Sequence, residues 1–302
     1  MDERAVAILG SGLIGESWAG LFAGHGYEVR CWDIDPSVAT RAVHGATKIA
    51  SAIAGPDRKA GRITSADDLA VALAEASWAQ ENIVERVPEK QILYHRVLDV
   101  AEPDLLIASS TSSLTWTDLT DGLATPDSIL TAHPFNPPHL MPLVEIYTAD
   151  PLAARRADQL YRHLDREPVF LNRPAVGHIA NRLSSALWRE AVNIVAEGIA
   201  EVDAVDRALV NGPGLRWSVI GAHMAYHLGG GEGGIRHYLE HLGASQERRW
   251  ADLGNPSLTP EVAEKLIKGI EAEAAGRSVQ ELATERDHAI ERILKALKQR
   301  RM

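Results

Sequence analysis

His133 stands in the segment Thr131-Ala132-His133-Pro134-Phe135-Asn136-Pro137-Pro138, and Glu145 follows inside the apolar run Leu143-Val144-Glu145-Ile146. Imidazole is the side chain whose ordinary titration lies nearest neutral pH. A carboxylate within an apolar strand is costly unless it is paired. Beside the imidazole, Glu145 would hold one tautomer and stabilise the imidazolium formed when His133 removes a hydroxyl proton. The prolines flanking His133 exclude a helix there and hold the backbone extended. A structural histidine closing a strand, with an unrelated glutamate on an edge strand, would have the same spacing, so both readings stand at this point.

The second group is Gly10-Ser11-Gly12-Leu13-Ile14-Gly15, a G-x-G-x-x-G turn. The first glycine permits the tight turn and the second lets backbone approach a pyrophosphate. The third lets a helix pack closely on the preceding strand. A helix opening at Leu13 would offer its N–H groups and positive dipole end to the anion. A small-residue turn with no ligand can share this pattern. Asp33, 18 residues after Gly15, ends the next predicted strand, where a carboxylate accepts hydrogen bonds from an adenosine ribose. The same carboxylate would repel a 2′-phosphate, which favours NAD over NADP. Arg30, on the same strand, has the wrong parity to share a face with Asp33.

These groups need a scaffold. Residues 4–9 form a short apolar run that reads as a buried parallel strand, followed by a helix over Leu13–Gly24 and a strand over 28–33. That order is a βαβ unit. Further strands are expected over 78–84, 105–109, 129–133, 143–147 and 168–171, with helices over 90–101 and 153–164. The alternation predicts an α/β fold, a doubly wound and mostly parallel Rossmann sheet. After Pro174 the texture changes. Residues 178–209 carry a helical period with almost no glycine or proline, as one long helix or two abutting ones, and the remainder is helical between breaks at 212–214, 229–234 and 255–256. The expected domains are therefore 1–174, binding the dinucleotide, and 175–302, an all-helical domain for substrate or dimerisation.

The chain has 302 residues, 45% hydrophobic and 24% charged, ordinary usage that argues against disorder. A net charge of −10 argues against nucleic acid as a partner. The single cysteine, Cys31, permits no internal disulfide and suits a reducing cytoplasm. Met1–Arg4 lead into the first strand without a signal-peptide pattern, and no apolar stretch is long enough to span a membrane. The expectation is a soluble cytoplasmic protein. His223 and His227, and His237 and His241, have i, i+4 spacing, but neither pair carries the glutamate of H-E-x-x-H, so no metal is expected. The run Gly229–Gly234 lacks the G-K-[ST] of a P-loop.

Four ordered motifs, GSGLIG at 10–15, SSTSS at 109–113, HPFNPP with LVEI at 133–146, and GHIANR at 177–182, together resemble the 3-hydroxyacyl-CoA dehydrogenase superfamily over essentially the whole chain. The resemblance implies an NAD-dependent dehydrogenase acting on a 3-hydroxyl. It implies His133 as general base, Glu145 as its orienting partner, and Ser112 and Asn181 as the groups that hold the reacting oxygen. It also implies a cofactor site containing Gly10, Gly12, Leu13, Ile14, Gly15 and Asp33, with Glu85, Lys90 and Asn136 near the ribose and nicotinamide; the helical second domain, for its part, could readily form a homodimer. Within the superfamily, GPGLRW at 212–217, GGGEGGIRH at 229–237 and RSVQEL at 277–282 resemble the branch of L-carnitine and L-gulonate dehydrogenases, the latter including lambda-crystallin. The implied substrate is a small hydroxy acid, carnitine-like. A sugar acid, a short acyl-CoA, and a crystallin-like structural or NAD-binding protein are the alternatives. A quaternary ammonium would require aromatic faces, available at Trp116, Phe135, Trp188, Trp217 and Tyr226, and Arg182 or Arg216 could take a carboxylate. Aromatics at helical spacing are as readily core, and each arginine as readily an ordinary ion pair.

Overall fold

The computed structural model describes residues 5–56 and 58–301. Arg4 of the first predicted strand lies outside that range, as do the side chains of 298–301 at the basic end of the last helix. Two compact units divide the chain, Met1–Arg182 and Leu183–Met302.

The first unit is built on β1 (Ala5–Leu9), α1 (Leu13–Gly24), β2 (Val29–Trp32), α2 (Pro36–Ala54), β3 (Ile63–Ser65), α3 (Leu69–Leu73) and β4 (Ala76–Glu81). It continues through α4 (Val87–Leu98), β5 (Leu106–Ser109), α5 (Trp116–Thr120), β6 (Ile129–Pro134), β7 (Leu143–Tyr147), α6 (Pro151–His163) and β8 (Glu167–Phe170). The eight strands form one sheet in the order β3-β2-β1-β4-β5-β6-β7-β8. Neighbouring pairs run parallel except β6 with β7. All five residues of β1 are buried, as expected of a central strand covered on both faces. Alternate side chains enter opposite cores: Val6 and Ile8 pack with Trp18 and Phe22, whereas Ala7 and Leu9 pack with Leu69, Leu93 and Leu119.

The helix α2 begins where the Asp35 side chain accepts from Ser37 N and proline occupies the first turn. Its buried face is all alanine, Ala39, Ala42, Ala46, Ala50 and Ala54, so α1 lies very close against it. A Cβ added to Gly20 would stand 2.5 Å from Ile49 Cβ, and one on Gly24 would stand 2.7 Å from Ile53 Cβ. This pairing locks α1, and with it the glycine turn, onto the sheet.

A further helix, α7 (Ala180–Ala196), starts in the first unit and runs on into the second. The second unit is otherwise α8 (Val202–Asn211), α9 (Pro213–Trp217), α10 (Ala222–Gly229), α11 (Gly234–Asp252), α12 (Pro260–Ala274) and α13 (Val279–Arg301). The long helical stretch expected over 178–209 is thus two helices. Gly198, at φ +69, and the bond from Ile199 N to Ile194 O end α7, a left-handed terminus that glycine provides at no steric cost.

Candidate active site

The glycine turn is held by contacts that leave no room for side chains at two of its three glycines. Gly10 has φ +85, and a Cβ there would lie 2.8 Å from Asn82 C and Ile83 N. A Cβ on Gly15 would lie 2.0 Å from the Gly10 carbonyl oxygen. Gly12, the N-cap of α1, differs: its Cβ would meet nothing within 4 Å. The space in front of Gly12 and the N-terminus of α1 is open, and a helix N-terminus with free N–H groups has the chemistry to take a dinucleotide pyrophosphate. Leu13 is exposed on the same edge. Asp33, just beyond β2, accepts from Ser11 N at 2.8 Å and from Asp35 N at 3.1 Å, so one carboxylate braces the turn and keeps lone pairs for ribose hydroxyls. Arg30 is committed to Glu28 and to the carbonyls of Val71 and Ala74. These residues fit an NAD cofactor.

The β6–β7 ladder sets His133 directly opposite Glu145, and His133 Nδ1 lies 2.9 Å from Glu145 Oε2. The carboxylate accepts, so Nδ1 carries the proton and Nε2 is the free basic nitrogen. Glu145 Oε1 accepts from Ile179 N at 2.7 Å and Ala180 N at 2.8 Å, the start of α7. Burial pushes the Glu145 carboxyl up, but the bonds from His133, Ala180 and Ile179 outweigh it and hold the group below its ordinary range. A cleft of about 400 Å³ opens over the pair, lined by Ile14, Ser112, His133, Phe135, Asn136 and Asn181.

The loop after β5 is drawn together by Glu85. Its Oε1 accepts from Thr111 Oγ1 at 2.7 Å, Ser112 N at 2.8 Å and Ser113 N at 2.9 Å. Burial raises the Glu85 carboxyl, while these donors and Lys90 outweigh it and bring it below its ordinary range. Asn181 Nδ2 donates to the Ser112 carbonyl at 3.1 Å. Lys90 is 1% exposed, with Nζ at 2.6 Å from Glu81 and 3.8 Å from Glu85. Glu81 in turn accepts from Tyr94 and Ser109, each at 2.7 Å. Ser112, His133, Asn136 and Asn181 therefore meet at the cleft, and Glu145 stands behind His133. Lys90 is beneath the loop, its ammonium taken up by Glu81.

Two groups escaped the sequence reading. Lys90 was named for the cofactor and not for its cluster with Glu81 and Tyr94, whose one visible signal is a carboxylate inside the strand expected over 78–84. His178 belongs to a quoted motif but received no role: it is buried, with Nε2 at 3.1 Å from the Thr111 carbonyl and its ring 5.0 Å from that of His133. The second half of the loop after β6 is pinned, by Arg166 to the carbonyls of Pro138 and Met141 and by His139 to Ser17. Of the aromatic candidates, Phe135 lines the cleft, and the Trp116 indole N–H donates to Ile129 O at 2.8 Å. Among the described residues, no group of three or more histidines, cysteines or carboxylates could hold a metal ion.

Residues 5–173 match the family described as 3-hydroxyacyl-CoA dehydrogenase, NAD binding domain, and residues 177–268 match the 3-hydroxyacyl-CoA dehydrogenase C-terminal domain. An L-carnitine dehydrogenase of Streptomyces coelicolor is 37% identical over 98% of this chain and 95% of its own length. Another, from Oceanobacillus iheyensis, is 35% identical over 96% and 97%. Among solved structures, the FHMPC 5-dehydrogenase, an NAD+ dependent dismutase, superposes with a TM-score of 0.83 over 98% of both chains at 24% identity, a likeness of fold.

Proposed function

The chain belongs to the 3-hydroxyacyl-CoA dehydrogenase family, and we propose that it is an L-carnitine dehydrogenase, oxidising the 3-hydroxyl of L-carnitine to the 3-keto acid with NAD. The observation that carries the chemistry is the His133–Glu145 pair at 2.9 Å, open to a cleft that also contains Ile14 of the glycine turn. The relatives similar over almost their full lengths support the substrate.

Bound NAD supplies the acceptor for the hydride leaving C3. His133 Nε2 takes the proton of the 3-hydroxyl, and Glu145 stabilises the resulting imidazolium through Nδ1–H. Ser112 and Asn181, joined through the Ser112 carbonyl, hold the alcohol oxygen and polarise the forming carbonyl. Asp33 and the open face of Gly12 would hold the cofactor, with Asn136 available to it from the cleft that Ile14 also lines. Glu85 and Lys90 act from below by ordering the serine loop. The proton passes from His133 to solvent, so one alcohol and one NAD give one ketone, one NADH and one proton.

The same reading makes the protein a cytoplasmic homodimer. Its one cysteine is buried, and no helix among the described residues is long and apolar enough to cross a membrane. On α11, Ile235, Leu239 and Leu242 recur at helical spacing and are exposed, as is Trp250, an apolar stripe suited to a second copy of the chain. The substrate test is NADH formation across L-carnitine, L-gulonate, 3-hydroxybutyrate and 3-hydroxybutyryl-CoA. The highest kcat/KM is expected with L-carnitine, and activity on the thioester alone overturns the reading.

A further inference from the structure

A second imidazole lies against the first and takes no part in the reaction as derived. His178 is 2% exposed and adopts φ +48 directly after Gly177 at φ +73. A side chain other than glycine reaches that left-handed region at a cost, so its surroundings must hold it there. Three contacts do so. Its Nε2 is 3.1 Å from the Thr111 carbonyl; a carbonyl only accepts, so Nε2 carries the hydrogen. Its ring stacks on His133, centroids 5.0 Å apart and planes 23° apart. The two residues that follow, Ile179 and Ala180, give their N–H groups to Glu145.

We propose that His178 is the positioning residue of the proton-accepting pair. Its neutral ring backs one face of His133, its Nε2–H ties the pair to the Thr111–Ser113 loop, and its left-handed backbone aims the first N–H groups of α7 at Glu145. The inference rests on the reading of His133 as general base.

Neutrality matters because His133 becomes cationic in turnover. A second positive charge 5.0 Å away would oppose the proton transfer. The groups facing His178 are His133 on β6, Glu145 on β7, Glu85 in the loop after β4 and the Thr111 carbonyl after β5. Burial, the largest influence, disfavours its charged form, and His133 acts the same way. The Thr111 carbonyl, Glu145 and Glu85 oppose them without prevailing, so the ring stays below the ordinary imidazole range.

Three variants separate the parts. His178→Phe keeps a stacked ring without the Nε2–H, His178→Asn keeps a donor without the ring, and His178→Ala removes both. In H178A, kcat is expected to fall about 100-fold, an effect of the size of a mispositioned proton transfer, with KM for NAD changed less than about twofold. H178F and H178N should recover part of that loss. On the protein without substrate, proton NMR should show a downfield imidazole N–H from the His133–Glu145 bond, retained in H178F and broadened or lost in H178A. Wild-type kcat and an unchanged resonance in H178A overturn the proposal. So does a loss of kcat that only follows a lost folded fraction while the resonance persists. If the wild type oxidises no hydroxy acid, the functional reading fails, and the resonance alone still decides the role of His178.

Discussion

Glu145 does two things with two oxygens: one orients His133, and the other receives the first N–H groups of α7. His133→Gln is expected to lower kcat by about 10²–10⁴-fold while NAD affinity stays within about twofold; near-normal turnover by stopped-flow NADH formation would contradict the assigned base. Glu145 and Glu85 are both held below the ordinary carboxylate range. A carboxylate with a depressed folded pKa contributes stability that is present above its unfolded value, near 4.5, and is lost as pH falls through the lower folded value. Denaturant titrations should therefore show stability declining on the acid side of that value. In E145Q or E85Q the decline should be shallower, and an unchanged slope in both would show that neither bond set contributes. The His133–Glu145 pairing was legible as a possibility, because an apolar strand does not carry a carboxylate without a partner. His178 was not, since nothing in its neighbours announces a left-handed residue or a stacked ring.

At the scale of elements, the turn from β1 into α1 offers a contrast between two glycines. Gly15→Ala would drive a methyl into the Gly10 carbonyl and should destabilise the protein by about 1–3 kcal/mol, read as a lowered denaturant midpoint. Gly12→Ala places its methyl in open space; the midpoint should barely move, whereas KM for NAD should rise about tenfold or more. An unchanged KM for NAD in Gly12→Ala would show that the space before Gly12 is not the cofactor's. The βαβ start was readable because period, glycine spacing and Asp33 agree. The strand direction of β7 was missed, although only residues 135–142 separate it from β6. A parallel return needs a crossover of about a dozen residues or more, so the connection itself signals an antiparallel pair. The helix α2 was not among the expected elements, although Asp35 and Pro36 mark its start and its buried alanines, Ala39, Ala42, Ala46, Ala50 and Ala54, recur at helical spacing.

For the whole molecule, a second unit made of helices still exposes large apolar side chains, Leu239 at 61% and Trp250 at 62% among them. Light scattering at micromolar concentration should report twice the 32.8 kDa chain mass. Leu239→Asp with Trp250→Glu should shift it toward the monomer, and a wild type that scatters as a monomer would remove the dimer. The overall α/β plan with a helical second unit could be read from texture alone, since the loss of strand-like runs after Pro174 is abrupt. The arrival of α7 at Glu145 could not, because Ile179 and Ala180 lie more than thirty residues along the chain and meet the carboxylate only in the folded unit.

That meeting has a consequence in time. The glycine turn needs β1, β2 and β4 around it, all complete by Glu81, whereas Glu145 is fully bonded only after Ile179 and Ala180 have joined it. Domains tend to fold from the N-terminus as the ribosome delivers them. A domain folds as a unit, and the glycine turn and the donors to Glu145 share the one compact unit Met1–Arg182, so a growing chain should hold neither until it has delivered Ala180.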